Sequence, residues 1–185
     1  ILSIFISCIL LILLIFFKYP LISSIFSDAE ITVIKYGISY FSIIIFSYPI
    51  LAINQTIFGI LRGIGDTKTP MFITIVMNII NVILGYILIF ENNFNIFGLI
   101  NIHTPGFGVA GASYALCLAR LIGLIVSIIY LIKKSSIINL KKKYFKIDIN
   151  IQKSLLNLGI PAGIASSLFQ VGKLIPQVFV VNMGT

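Results

Sequence analysis

Apolar residues run along this chain in five long stretches separated by short polar segments. The first covers residues 1–26, apolar except for Ser3, Ser7, Lys18 and the Ser23–Ser24 pair. The others cover residues 36–61, 70–90, 107–132 and 154–182. Each exceeds the ~20 residues a helix needs to cross the hydrocarbon core, with length to spare for tilt. The pattern predicts five transmembrane helices and hence an all-α membrane protein, a polytopic helical bundle.

The breaks carry turn chemistry. Residues 91–106 are rich in Asn, Gly and Pro and are expected to form a long loop. Thr69 before Pro70 reads as an N-cap followed by a first-position proline, because proline lacks only a donor that would be unpaired there. Gly63 and Gly65 would let the preceding helix end in left-handed conformations. A tight turn between the second and third helices follows.

Composition agrees with the pattern. The chain is 59% hydrophobic and 10% charged, with a mean hydropathy of +1.13. Ordinary soluble domains are about half apolar and about a quarter charged. A soluble enzyme, a disordered chain and a secreted disulfide scaffold are excluded. Cys8 and Cys117 both fall inside apolar runs and read as small buried hydrophobes. No metal-ligand spacing is present, and the single histidine, His103, falls in the long loop.

Charge sets the orientation. Thirteen Lys and Arg oppose five Asp and Glu, a net +8. Lys133, Lys134, Lys141, Lys142, Lys143, Lys146 and Lys153 all fall in or beside the segment 133–153. With no basic face or stacking platform, the cluster argues for a cytoplasmic loop, not for nucleic acid. Residues 62–69 also carry basic residues, whereas residues 91–106 contain no Lys or Arg. The positive-inside rule therefore places loops 62–69 and 133–153 in the cytoplasm, consistent with strict alternation of the crossings.

Several faces could carry chemistry. Gly111, Ala115, Ala119 and Gly123 recur every fourth residue, a stripe that lets another helix approach closely. Arg120 beside it lies near mid-membrane, where a charge must face protein or water, in a structural or a functional role. Thr74, Asn78, Asn81 and Gly85 share one face of the third helix. They read either as interhelical hydrogen-bonding groups or as a cation or substrate site. The second helix adds Asn54 and Gln55, with Pro49 as an expected kink, and the fifth adds Gln170, Lys173, Pro161 and Pro176. Lys173 is too deep to reach the cytoplasmic end. No catalytic set assembles, so no enzyme is expected.

The string Leu61-Arg62-Gly63-Ile64-Gly65-Asp66-Thr67-Lys68-Thr69-Pro70-Met71, followed by Asn78 and Asn81, resembles the multidrug and toxic compound extrusion (MATE) transporters. Gly108-Val109-Ala110-Gly111-Ala112 and Gly159-Ile160-Pro161-Ala162 are similar to the same family, in the family's order. The resemblance implies a twelve-helix, two-lobe antiporter fold. Residues 1–132 would be part of the N-terminal lobe, residues 133–153 the cytoplasmic inter-lobe linker, and residues 154–185 the first helix of the C-terminal lobe. The chain would then be a piece of a longer protein, covering helices three to seven, as its ends within or beside apolar runs also suggest.

The resemblance further implies export of organic, by expectation cationic, drugs or toxic metabolites in exchange for inward Na⁺ or H⁺. Asn81 matches a position of the family's first-lobe cation site, so Na⁺ near Asn81 is the expected metal. Gly85 stands where the family usually has Asn or Asp, and Leu116 where many members have Thr. The expected binding residues are Asn54, Gln55, Thr74, Asn78, Asn81, Gln170 and Lys173. The expected partners are a small-molecule substrate and membrane lipid, with no cofactor and no obligate protein partner. The expected location is a bacterial plasma membrane. A flippase for lipid-linked oligosaccharide or peptidoglycan precursors, from the same superfamily, is the alternative; a membrane-embedded enzyme and a nonfunctional remnant are two more.

Overall fold

The computed structural model of the protein describes residues 2–25, 30–96, 100–104, 106–133 and 149–183. Its elements are α1 (Leu2–Ile25), α2 (Ile31–Ile44), a short 3₁₀ turn (Ile45–Ser47), α3 (Tyr48–Gly63), α4 (Lys68–Ile89), strands β1 (Asn92–Ile96) and β2 (Ile100–Thr104), α5 (Gly108–Lys133) and α6 (Ile149–Met183). Helices α2 and α3 continue through the turn as one span, Ile31–Gly63, so five helices are long and apolar enough to cross a membrane. This is the expected helical membrane architecture.

Three boundaries differ from the expectation. The second span starts at Ile31, before residue 36, and the fifth at Ile149, before residue 154, because polar residues within reach of an interface still extend a helix. Residues 91–106 are not all loop: β1 and β2 form an antiparallel hairpin with Asn92 opposite Thr104 and His103 opposite Asn93. Lys134, Lys141, Lys142, Lys143 and Lys146 of the basic segment lie outside the described residues, as do Ser27, Asp28 and Ala29 of the first connection.

Helix α5 is the hub, packing on α4, α2 and α3, while α1 lies against α2 and α3 on another side. The stripe explains the closest contact. Gly111, Ala115, Ala119, Gly123 and Ser127 are all buried. A Cβ at Gly111 would fall on the Leu88 carbonyl, and one at Gly123 on the Met77 side chain. Small residues thus let α4 and α5 touch backbone to backbone, where van der Waals packing replaces a hydrophobic drive that lipid cannot supply.

The interior mixes apolar side chains, Ile45, Ile57, Leu61 and Ile73, with the small or polar Ser47, Asn54, Ser113 and Ser127, all almost fully buried, while many further Ile, Leu and Phe cover the outside. Cys8 departs from the expected burial: it lies on the uncovered face of α1, while Cys117 is half-buried against the Ile43 carbonyl. Helix α6 is almost wholly exposed from Ile149 to Lys173 and runs on through Pro161 and Pro176.

Pro49 accounts for the break within the second span. The Ile45 carbonyl would ordinarily accept from the residue four positions on, which is Pro49 and has no N–H. The Tyr48 N–H takes it instead, in a tighter bond that makes residues 45–47 a 3₁₀ turn. The Ser47 hydroxyl donates to the Ile44 carbonyl at 2.7 Å, filling another acceptor at the break.

The turn between α3 and α4 is built differently from the expectation. Only Gly65 is left-handed, with φ +84°, and Gly63 ends the helix in ordinary geometry. The Asp66 N–H bonds to the Leu61 carbonyl (2.9 Å) and the Gly65 N–H to the Arg62 carbonyl (3.0 Å). These are the paired bonds of a Schellman ending. Helix α4 then begins at Lys68, so Thr69 is inside it, and the N-cap Thr67 makes no capping bond. Asp66 supplies the cap, accepting from the Thr69 N–H at 3.1 Å.

Candidate functional site

The seven residues singled out from the sequence fall into four places. Asn54 is buried where α3, α4 and α5 meet. The Ser127 hydroxyl lies 2.7 Å from its Oδ1 and 2.8 Å from the Gly123 carbonyl, and its single hydrogen serves both. The Asn54 Nδ2 donates to Met77 Sδ at 3.5 Å. Both ends of the amide are therefore occupied within the packing, and Asn54 ties three helices together.

Gln55 and Thr74 come together, from α3 and α4, in a depression of about 360 Å³ that also takes in Phe58, Arg62, Thr67 and Met71. The short turn at residues 64–67 holds the ends of the two helices close, and α3 and α4 touch little beyond it. The result is a wedge open above the turn. Its surface mixes one guanidinium, an amide and two hydroxyls with aromatic and thioether walls. The Thr74 hydroxyl donates to the Pro70 carbonyl at 2.8 Å, leaving its oxygen as an acceptor toward the wedge. Asn78, one turn along α4 from Thr74, is exposed on the same side.

Asn81 lies apart from that wedge. It is half-buried in a second depression, about 270 Å³, with Tyr40, Gly85, Tyr86 and Leu116. The oxygen donors a hard cation would seek there come from the Asn81 amide and the tyrosine hydroxyls, because Gly85 and Leu116 supply no side-chain ligand. Gln170 and Lys173 sit on exposed α6, away from both depressions. Lys173 has a partner that the sequence reading missed: its ammonium lies 4.5 Å from the centre of the Phe169 ring, four residues earlier on the same helix.

Two further cations meet the second span. The Arg120 guanidinium donates to Ser47 Oγ at the 3₁₀ turn. The Lys18 ammonium donates to Ser42 Oγ at 3.2 Å from the α1 side. Ser47 lies near one polar stripe of the second span with Tyr36, Tyr40 and Asn54, but a stripe does not name its partner; only the break and the helix contacts reveal the pairing.

The MatE family model matches residues 1–87. The chain is 33% identical to the uncharacterized transporter YisQ of Bacillus subtilis (strain 168), over 73% of this chain and 28% of that protein. It is 30% identical to the probable multidrug resistance protein YoeA of the same organism, over 83% of this chain and 32% of YoeA. It is 31% identical to the probable multidrug resistance protein NorM of Thermotoga maritima, over 82% of this chain and 30% of NorM. Among solved structures, the fold is similar to the crystal structure of MATE in complex with MaD3S, with TM-score 0.65 and 26% identity, covering 87% of this chain and 34% of that one. The crystal structure of a MATE proline-to-alanine mutant superposes with TM-score 0.68 at 24% identity, covering 91% of this chain and 35% of that one. The chain thus spans about a third of the length of these relatives.

Proposed function

The chain belongs to the multidrug and toxic compound extrusion (MATE) family, and on that premise we propose that it forms part of a secondary transporter exporting small organic molecules. The observation that carries this reading is the uncovered polar side of α3 and α4. Gln55, Thr74 and Asn78 stand exposed inside α3 and α4, and from Met71 to Val82 the other exposed residues of α4, Met71, Phe72, Ile75, Ile79 and Val82, are apolar. Polar side chains at membrane depth require water, a partner or a substrate. Side chains facing lipid alone would cost free energy with no return, whereas a water-filled passage beside α3 and α4 satisfies them.

In this reading Gln55, Thr74 and Asn78 face the transported molecule. Asn81, with the Tyr40 and Tyr86 hydroxyls, is the half of a cation site that this chain supplies, for Na⁺ or H⁺ as coupling ion. Ion binding drives transport only through its differential affinity for two arrangements of the helices. The break at residues 45–47 is where the second span can change shape with least loss of hydrogen bonding, since its bonding is already rearranged. Asn54 holds the packing behind the passage. An organic cation is the proposed cargo and a bacterial plasma membrane the proposed site. The basic end of the bundle, with Arg62, Lys68 and Lys133, then faces the cytoplasm.

The test is accumulation of a fluorescent organic cation in cells stripped of their own exporters, with the transporter that carries this chain expressed at the surface. Export that follows an imposed Na⁺ or H⁺ gradient supports the reading and names the ion. Accumulation that no gradient alters, with the protein in the membrane, refutes it.

A further inference from the structure

The wedge beside Arg62 does not end at Gln55. Gln55 also borders a second, almost entirely apolar groove of about 370 Å³ between α1 and α3, formed with Ser7, Leu10, Tyr48, Leu51 and Ala52. Tyr48, Leu51, Gln55, Phe58 and Arg62 succeed one another at helical spacing along one side of α3. The two depressions are therefore joined along a single helix face, polar and cationic at one end and apolar at the other. From Tyr48 to Arg62 the path is about 21 Å at 1.5 Å per residue. One leaflet of hydrocarbon is about 15 Å deep, so the path has room for a headgroup and an acyl chain.

The head of the path is prepared for an anion. The Arg62 Nε donates to the Phe58 carbonyl at 3.2 Å, which fixes the guanidinium plane. Its Nη groups, among the described residues, have no acceptor. Thr67 stands at the start of α4, yet Asp66 provides the cap and the Thr67 hydroxyl makes no capping bond. Thr67 lines the wedge together with Arg62. Lys68 and Lys133 are exposed at the same end of the bundle and raise the local positive potential. A phosphate diester bound at Arg62 and Thr67 would accept charge-assisted hydrogen bonds, which are stronger than neutral ones.

We propose that this groove binds one anionic phospholipid from the leaflet at the Arg62 end. The phosphate rests on Arg62 and Thr67, and an acyl chain lies along Leu51 and Ala52 against α1. The site is separate from the Asn81 depression and does not depend on transport. It meets the proposed substrate face at Gln55 and Thr74, so a bound lipid and a substrate compete there.

The test is native mass spectrometry of the delipidated protein titrated with phosphatidylglycerol or with phosphatidylcholine. Phosphatidylglycerol should bind one high-affinity site about tenfold more tightly than phosphatidylcholine, whose phosphate is the same but whose choline cation is repelled by the Arg62 guanidinium. Arg62→Gln should erase that preference, and Lys133→Gln, at the same end but outside the groove, should leave it. Ala52→Phe, which fills the apolar half, should weaken both lipids. Thr67→Val keeps every charge and should weaken both lipids alike with their preference intact, so the test stands if Arg62→Gln fails to fold. Three results would overturn the proposal: equal binding of both lipids, equal loss in Arg62→Gln and Lys133→Gln, or displacement of the lipid by millimolar inorganic phosphate with Ala52→Phe without effect. The second would mark a diffuse basic surface and the third a site for a free anion.

Discussion

Asp66 holds Thr69 twice, accepting from its backbone N–H at 3.1 Å through one carboxylate oxygen and from its hydroxyl at 2.7 Å through the other. The same residue's N–H closes α3 on the Leu61 carbonyl. One aspartate therefore ends one membrane helix and begins the next. Removing the carboxylate in Asp66→Ala should lower stability by about 1 kcal/mol, the usual worth of a cap. Asp66→Asn, which keeps one acceptor oxygen, should fall between the two. Thermal unfolding in a fixed detergent measures the order, and equal stability of all three proteins would show that the cap carries no weight.

Gly65 and Gly63 make a paired test of backbone geometry. Neither has an atom within 4 Å of where a Cβ would sit, so sterics against neighbours are equal. Gly65 alone is left-handed. Gly65→Ala should therefore destabilise by about 1–2 kcal/mol. Gly63→Ala, at the end of α3, should be neutral or stabilising by a few tenths to about 1 kcal/mol. The contrast is read in one unfolding series, and like effects from the two substitutions would contradict the Schellman geometry.

The α4–α5 contact should tolerate a methyl group unevenly along its length. At Gly111 the added carbon meets the Leu88 backbone, which can move only with the helix. At Gly123 it meets the Met77 side chain, whose flexible thioether can swing aside. Gly111→Ala should lower the unfolding temperature clearly more than Gly123→Ala, and Gly123→Ala should recover when combined with Met77→Ala. A larger loss at Gly123, or no recovery, would mean that the helices do not meet in this register.

A double-mutant cycle on Asn54 and Ser127 should give a coupling of about 0.6–2 kcal/mol, the range for hydrogen bonds between membrane helices. On polar grounds Ser127→Ala should cost more than Asn54→Leu, because it leaves the buried Asn54 Oδ1 without its donor, whereas the Ser127 hydroxyl keeps the Gly123 carbonyl when Asn54 is replaced. Zero coupling would remove the tie between α3 and α5.

Within the proposed function, Asn81→Leu should abolish ion-driven export while the protein still reaches the membrane. Gln55→Leu and Asn78→Leu should change the apparent affinity for the cation with surface expression unchanged. Export by Asn81→Leu equal to the unaltered protein would take Asn81 out of the coupling site.

The extent of what could be read in advance differs from residue to residue. The small stripe on α5 was legible because its function is steric: glycine and alanine every fourth residue can only mean close approach, whatever the partner. Asn54, Asn78 and Asn81 looked alike as asparagines in apolar runs. They proved different, one buried among three helices, one exposed and one half-buried in a separate depression. Thr69–Pro70 suggested the start of α4, but the cap came from Asp66, because a carboxylate three residues before a free N–H reaches it as well as a neighbouring hydroxyl does. The hairpin at residues 92–104 has a signal in the sequence, Phe94 and Ile96 alternating with Asn93 and Asn95 and Ile100 and Ile102 with Asn101 and His103, but the period is short and the Asn, Gly and Pro content around it reads as loop.

Hydrophobicity and length by themselves determined that this chain is a set of membrane-crossing helices, because transfer into hydrocarbon depends on the content of each segment and not on its neighbours. Loop charge added an expected orientation, and proline chemistry the place where the second span breaks. Only the tertiary structure decided which polar groups meet: Arg120 with Ser47, Asn54 with Ser127, and Gln55 with Thr74 beside Arg62. In lipid, apolar faces are interchangeable, so their pattern does not dictate which helix face meets which. That choice falls to the few small and polar residues, whose contacts exist only once the helices have packed.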